Sequence, residues 1–86
     1  MIQPHIELFN MDKLNSIIEK IFKISPSDIT DQMSPQTIPS WDSLNYLTFI
    51  SEVEKEFKIS FSMDEVLNSK NLGDIKQAMR AKGVSV

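Results

Sequence analysis

A serine hydroxyl stands between an aspartate and a leucine at Trp41-Asp42-Ser43-Leu44, and this cluster is the part of the chain best placed to do chemistry. Pro39 and Ser40 precede it and an apolar helical pattern follows it, so Ser43 falls at the very start of a helix. Taken as four residues alone, the cluster also fits plain helix capping by an oxygen side chain. Other routes to chemistry are closed. There is no cysteine, which removes disulfides, thiolate zinc sites, iron–sulfur clusters and a cysteine nucleophile. The one histidine, His5, gives a metal site or a His–Ser pair little to work with and reads as surface. Glu52, Glu54 and Glu56 alternate along a helix, where residues two apart do not face each other, so they form a solvated face and no acid–base dyad. No catalytic residue and no metal site are expected.

The elements that must position Ser43 follow from periodicity. Leu14, Ile17, Ile18 and Ile21 recur at helical spacing, which predicts a first helix from about Met11 to Ile24. Asp12 falls in its first turn and Lys20 and Lys23 in its last, each favourable to the helix dipole. Ser25-Pro26 stops it. Residues 1–10 read as a loosely packed extension. Ser25 to Ser40 is a long loop with Pro26, Pro35 and Pro39, held to the core by Ile29, Met33 and Ile38 and turning once near Ser27 to Ile29. A second helix runs from Ser43 to about Phe57. At about 100° per residue, Tyr46, Leu47, Ile50, Val53 and Phe57 share its buried face, while Leu44 lies off that face beside Thr48, Ser51 and Lys55.

Trp41 reads first as a hydrophobic staple closing the loop onto this helix, with a partner contact as the alternative. Ile59 to Met63 alternates like a strand but has no partner strand, so it reads as a loop with apolar side chains turned inward. Ser62 and Glu65 make a capping box that opens a short third helix through about Asn68. Asn71 caps a fourth, with Leu72, Ile75 and Met79 inward and Gly83 as its stop. Met11, Met33, Met63 and Met79 are core filler. The predicted fold is all-α: a small four-helix bundle with three longer helices, a short third one and a long first connection. The domain spans 11–83, and 84–86 form a tail.

Composition agrees with a small globular domain. The 86 residues suffice for one core, with 41% hydrophobic and 24% charged residues. A net charge of −3 argues against nucleic-acid binding. No apolar run approaches the ~18 residues of a membrane span, and the N-terminus lacks a secretory layout, so a cytoplasmic monomer is expected. Two glycines and no Walker or dinucleotide motif exclude phosphate-cradling loops.

Asp42-Ser43-Leu44, the apolar series Leu47, Ile50 and Val53, and then Glu54-Lys55-Glu56-Phe57 resemble the attachment site and second helix of acyl carrier proteins. With the long loop and the other helices, the resemblance extends from about Met11 to Arg80. It implies that Ser43 is esterified by 4′-phosphopantetheine from coenzyme A, through a phosphopantetheinyl transferase working with magnesium, and that Asp42 helps that transferase. A phosphodiester suits the unpaired N–H groups and positive dipole of a helix N-terminus. The arm ends in a thiol, so a chain without cysteine can still hold an acyl group as a thioester. The chain itself would catalyse nothing. Its partners would be acyl-loading and acyl-accepting enzymes.

The resemblance also implies an acyl groove between the second and third helices, with Leu47, Ile50, Phe61, Val66 and Leu72 as its lining. Docking would fall on Leu44, Thr48, Ser51, Glu54, Lys55 and Glu56. Carriers of fatty acid biosynthesis are usually more acidic, and acids common in their second helix are replaced here by Asn45 and Thr48 and interrupted by Lys55. Those differences point to a specialised lipid, polysaccharide or polyketide pathway. The rival readings are a helical interaction module that is never modified, and an aminoacyl or peptidyl carrier.

Overall fold

The computed structural model describes residues 4–86, with side chains described from Ile6 onward. The surface placement expected of His5 and the first three residues of the expected extension lie outside them. Among the described residues there are four α-helices and no strand: α1 (Pro4–Phe22), α2 (Ser43–Phe57), α3 (Met63–Asn68) and α4 (Leu72–Ala81). A 3₁₀ turn (Pro26–Asp28) lies in the long first connection, where one turn was expected.

α1 starts seven residues earlier than its apolar spacing suggests, so Pro4 to Asn10 are helix and not a loose extension. Proline lacks the N–H that a first turn leaves unbonded anyway, and at that position it begins a helix where elsewhere it would break one. Asp12 is therefore mid-helix, and Glu7 is the first-turn acid. The helix stops at Phe22 because Lys23 turns left-handed at φ 55°, its N–H donating to the Glu19 carbonyl at 2.9 Å. Leu14, Ile18, Ile21 and Phe22 form its core face.

The long connection makes its own hydrogen bonds. Ser34 receives the N–H groups of Thr37 and Ile38 on its carbonyl, and its own N–H goes to the Thr37 hydroxyl at 3.0 Å. Met33 is buried, and Ile29 and Ile38 pack on the core, as their spacing predicts. The loop then caps α4. The N–H groups of Leu72 and Gly73 donate to the carbonyls of Met33 and Asp31, and Asn71 Oδ1 accepts from Asp74 N. A Cβ on Gly73 would stand 3.3 Å from the Asp31 carbonyl oxygen, so glycine permits this close approach. Lys76, on the buried face of α4, pairs with Asp31 at 2.8 Å.

α2 begins where predicted, but its cap is Asp42. The Asp42 Oδ1 atom accepts from Asn45 N at 2.8 Å, which leaves Ser43 as the first helical residue. Its buried face differs from the predicted one. Phe49 is completely buried and tilts against Phe22 at 5.5 Å, whereas Leu47 is 57% exposed. Both fit a helical spacing with Ile50 and Val53, and the position of α1 decides between them. α2 ends at Lys58, left-handed at φ 56°, and Glu54 Oε2 accepts from Phe61 N at 2.7 Å to fix the turn that follows.

The residues after α2 are a loop as expected, with Ile59 and Phe61 partly buried, but Met63 is 70% exposed and fills no core space. Ser62 and Glu65 form the predicted capping box of α3. Lys82 reaches both Glu65 oxygens, at 2.8 and 2.9 Å. That contact, with the Ser62 backbone N–H, holds the Glu65 carboxyl below its ordinary range. The stabilisation is present above the ordinary carboxyl value and is lost as pH falls through the lowered one. Gly83 ends α4 at φ 93°. Residues 84–86, the expected tail, pack on the bundle: Val86 is buried, and Asn10 Nδ2 donates to the Ser85 carbonyl.

Two stability predictions follow from these contacts. Asp31→Ala leaves the Lys76 ammonium nearly buried without its carboxylate, and because Asp31 itself is half exposed the loss should be about 1–2 kcal/mol. In thermal denaturation that is a drop of roughly 5–15 °C, largely recovered by adding Lys76→Met; equal melting of wild type and Asp31→Ala would show that the pair contributes nothing. Asp42→Ala should cost about 1 kcal/mol as a lost cap, and Ser43→Ala less than about 0.5 kcal/mol.

Candidate functional site

Four contacts fix the residues just before Ser43. Trp41 is buried between Phe22, with ring centroids 5.2 Å apart, and Tyr46, at 5.7 Å. Trp41 precedes the cap and Tyr46 is the fourth helical residue, which is the hydrophobic staple expected of Trp41. The Ser40 hydroxyl donates to the Phe22 carbonyl at 2.6 Å, closing an open acceptor at the end of α1. Asn45 Nδ2 donates to the Ser40 carbonyl at 2.9 Å. Asn45 thus ties the loop to α2.

On this base Ser43 is exposed, as are Asp42 and Leu44. Asn45 N is taken by the cap and Tyr46 N by the Asp42 carbonyl. Among the described residues no acceptor pairs with the N–H groups of Ser43 and Leu44. The hydroxyl therefore sits beside two free donors at the positive end of a fifteen-residue helix, an arrangement that suits a phosphate ester.

An open cleft of about 380 Å³ starts at Ser43. Pro35 and Trp41 form its loop side, Asp42 and Tyr46 stand beside the serine, and Val66, Leu67 and Ser69 close it from α3 and the residue after it. Tyr46 crosses between the two helices, its hydroxyl donating to the Val66 carbonyl at 2.7 Å. Burial raises the Tyr46 phenol above its ordinary value and the Asp74 carboxylate adds to this, against an opposing hydrogen bond from Ser69. The phenol stays protonated and keeps donating.

Of the side chains expected to line an acyl groove, Val66 alone borders this cleft. Ile50 and Leu72 are in the packed core, Phe61 is partly buried with the Lys82 ammonium 5.6 Å above its ring, and Leu47 faces solvent. Pro35, Tyr46, Leu67 and Ser69 were not singled out from the sequence as site residues. Only Tyr46 carried a signal, because a tyrosine on a buried stripe needs a partner for its hydroxyl.

The expected docking residues divide into two groups. Leu44 is 75% exposed, and Thr48 and Ser51 are exposed, with the Thr48 hydroxyl bonded back to the Leu44 carbonyl. The charged members are engaged within the chain: Glu54 with Phe61 N, Glu56 with Lys13 at 3.1 Å, and Lys55 with Glu52 at 3.8 Å. Glu52 also meets Lys20 at 3.7 Å, so the acidic series of α2 does more than face water. Among the described residues no helix is long and apolar enough to cross a membrane, and no group of three or more side chains could hold a metal ion.

Comparison with known proteins bears on the same stretch. Residues 41–79, from Trp41 to Met79, match the family described as phosphopantetheine attachment site. A solved structure from Mycobacterium tuberculosis, described as an acyl carrier protein, superposes with a TM-score of 0.73 at 27% sequence identity, covering 83% of this chain and 95% of that one. No curated protein sequence matches the chain. Carrier domains of this kind work with a phosphopantetheinyl transferase and with acyl-processing enzymes. The matched stretch holds the exposed hydroxyl, the capped helix and the cleft within one all-helical bundle, and both findings support the acyl carrier protein family, non-catalytic carriers that bear a 4′-phosphopantetheine group.

Proposed function

We propose that Ser43 is the attachment point of the phosphopantetheine arm and that the chain carries acyl intermediates to partner enzymes in a specialised lipid, polysaccharide or polyketide pathway of the cytoplasm, as a monomer. The observation that carries this reading is the exposed Ser43 hydroxyl beside the free N–H groups of Ser43 and Leu44, inside the matched stretch. In the modification a phosphoester bond forms at Ser43 Oγ as the pyrophosphate bond of coenzyme A breaks. The adenosine bisphosphate leaves, and the serine proton passes to a base of the transferase. The bound group supplies the thiol that holds the acyl chain. The protein's own residues supply position: Asp42 fixes the first turn through Oδ1 and turns its other carboxylate oxygen to the transferase, and the two amides face the phosphate.

Partner enzymes dock on α2 around Leu44, Thr48 and Ser51. Lys55 and Glu56 are paired with opposite charges of the chain and Glu54 is held by a neutral amide, so the field that steers a basic partner is weaker here than on a strongly acidic carrier.

Incubation with coenzyme A and a broad-specificity phosphopantetheinyl transferase should add the mass of one phosphopantetheine to the wild type and nothing to Ser43→Ala. Modification of the variant, or none of the wild type, would overturn the reading. Docking is tested by turnover against carrier concentration at two salt levels. Thr48→Glu with Lys55→Glu should improve turnover with a generic fatty acid synthase enzyme and impair it with the native partner, and the gain should shrink with salt because such charges are screened over about 8 Å. Leu44→Ala should weaken both partners with little dependence on salt, since it removes apolar burial.

A further inference from the structure

We propose that Tyr46 is a latch which shuts the α2–α3 gap behind Ser43, so that the arm's cargo stays in the outer cleft and the protein is suited to short or polar acyl groups. The inference rests on Ser43 as the attachment point. Ser43, Tyr46 and Ile50 stand on successive turns of α2, and a chain running from Ser43 toward the core at Ile50 and Leu72 must pass Tyr46. That passage is occupied. The Tyr46 ring is half buried, Trp41 stacks on it, and its hydroxyl reaches the Val66 carbonyl of α3. Parting the two helices there would strip a partly buried donor and acceptor of their partners, a cost that apolar cargo must exceed before it gains anything from burial.

Behind the latch the space is filled. Phe49 and Leu72 have no exposed surface, and Ile50 has almost none. Outside the latch the cleft combines an apolar lip, Pro35 and Leu67, with polar groups at Asp42 and Ser69. Leu67 is 71% exposed, so it shields one side of a group lying in the cleft and encloses nothing. Such a site suits an amide-containing arm and a small or polar acyl head. A long alkyl chain placed there would remain in water along most of its length.

The test loads wild type and Tyr46→Phe from acetyl-, butyryl- and octanoyl-coenzyme A with a broad-specificity transferase, and the mass gain is read first. Absence of any gain sinks the Ser43 assignment and this inference with it. With loading established, acetyl and octanoyl forms of the wild type should melt within about 2 °C of each other, whereas burial of even a few methylenes would separate them by roughly 10 °C. In methyl NMR spectra the octanoyl group should shift Val66 and Leu67 and leave Ile50 and Leu72 in place. Tyr46→Phe keeps the ring and its stack but loses the hydrogen bond, and its octanoyl form should melt higher than its acetyl form and shift Ile50 and Leu72. A wild type stabilised by octanoyl with core methyl shifts overturns the proposal, and so does a Tyr46→Phe protein as insensitive to chain length as the wild type.

Discussion

The stack of Phe22, Trp41 and Tyr46 is the interaction on which the arrangement around Ser43 depends. Its three rings come from the end of α1, the end of the loop and the first turns of α2, elements that chain continuity alone would leave free to swing. Aromatic pairs at such distances contribute about 0.5–1.5 kcal/mol beyond their buried area, and here two of them share the central ring. The Ser40 hydroxyl bonded to the Phe22 carbonyl locks the same junction with a directional contact. The result is an exposed hydroxyl two residues from a buried indole. On the proposed reading, a transferase reaches that hydroxyl without first ordering the segment that bears it.

The same constraint explains how a long, proline-containing connection stays ordered. It docks at two places. Its last residues hold α2 through Trp41, and its middle holds α4 by lending the carbonyls of Asp31 and Met33 to the two amides that Asn71 does not cap. With Asn71 Oδ1 on Asp74 N, the N–H groups of the first three helical residues of α4 are all satisfied, and the loop serves a helix end at two places along its length. α3, with six residues, is too short to persist alone and is held from outside by Tyr46, by Lys82 and by its own capping box. The wall of the cleft is therefore only as firm as those contacts.

Sequence reading recovered the helices because each carries local signals: the capping box at Ser62, the cap at Asn71, the spacing of Leu14, Ile18 and Ile21, and Gly83. It singled out Ser43 by the same kind of local signal. What it missed is non-local. Nothing in α2 distinguishes Leu47 from Phe49 as a core residue until Phe22 is in place beside it. Pro4 stops a helix or starts one depending on where the apolar stripe begins, and the exposed Ile6, Leu8 and Phe9 blur that beginning. Val86 follows a glycine stop, which reads as an ending. Lys76 was legible in part, since a lysine on the stripe of Leu72, Ile75 and Met79 needs an acid, but only the fold supplies Asp31. The cleft joins Pro35 to Leu67 across 32 residues, and no local pattern links them.

The charges of α2 complete the picture. Glu52 lies near Lys20 and Lys55 and Glu56 binds Lys13, so two of the three acids are compensated by cations of the chain, while Glu54 is held by a neutral amide at the turn after the helix. Exposed pairs of this kind add little stability, but they cancel charge locally, and beyond about 8 Å little of it is felt. The apolar side chains left exposed on α2 and α3 are Leu44, Leu47, Met63 and Leu67. A surface of that composition attracts a partner weakly from a distance and rewards it on contact, through burial that does not depend on salt. The net charge of −3 is therefore less informative than its placement. The acids stabilise helix ends and turns, and on the proposed reading an enzyme approaching Ser43 meets a face of weak, mixed charge on which shape and apolar fit decide whether it stays.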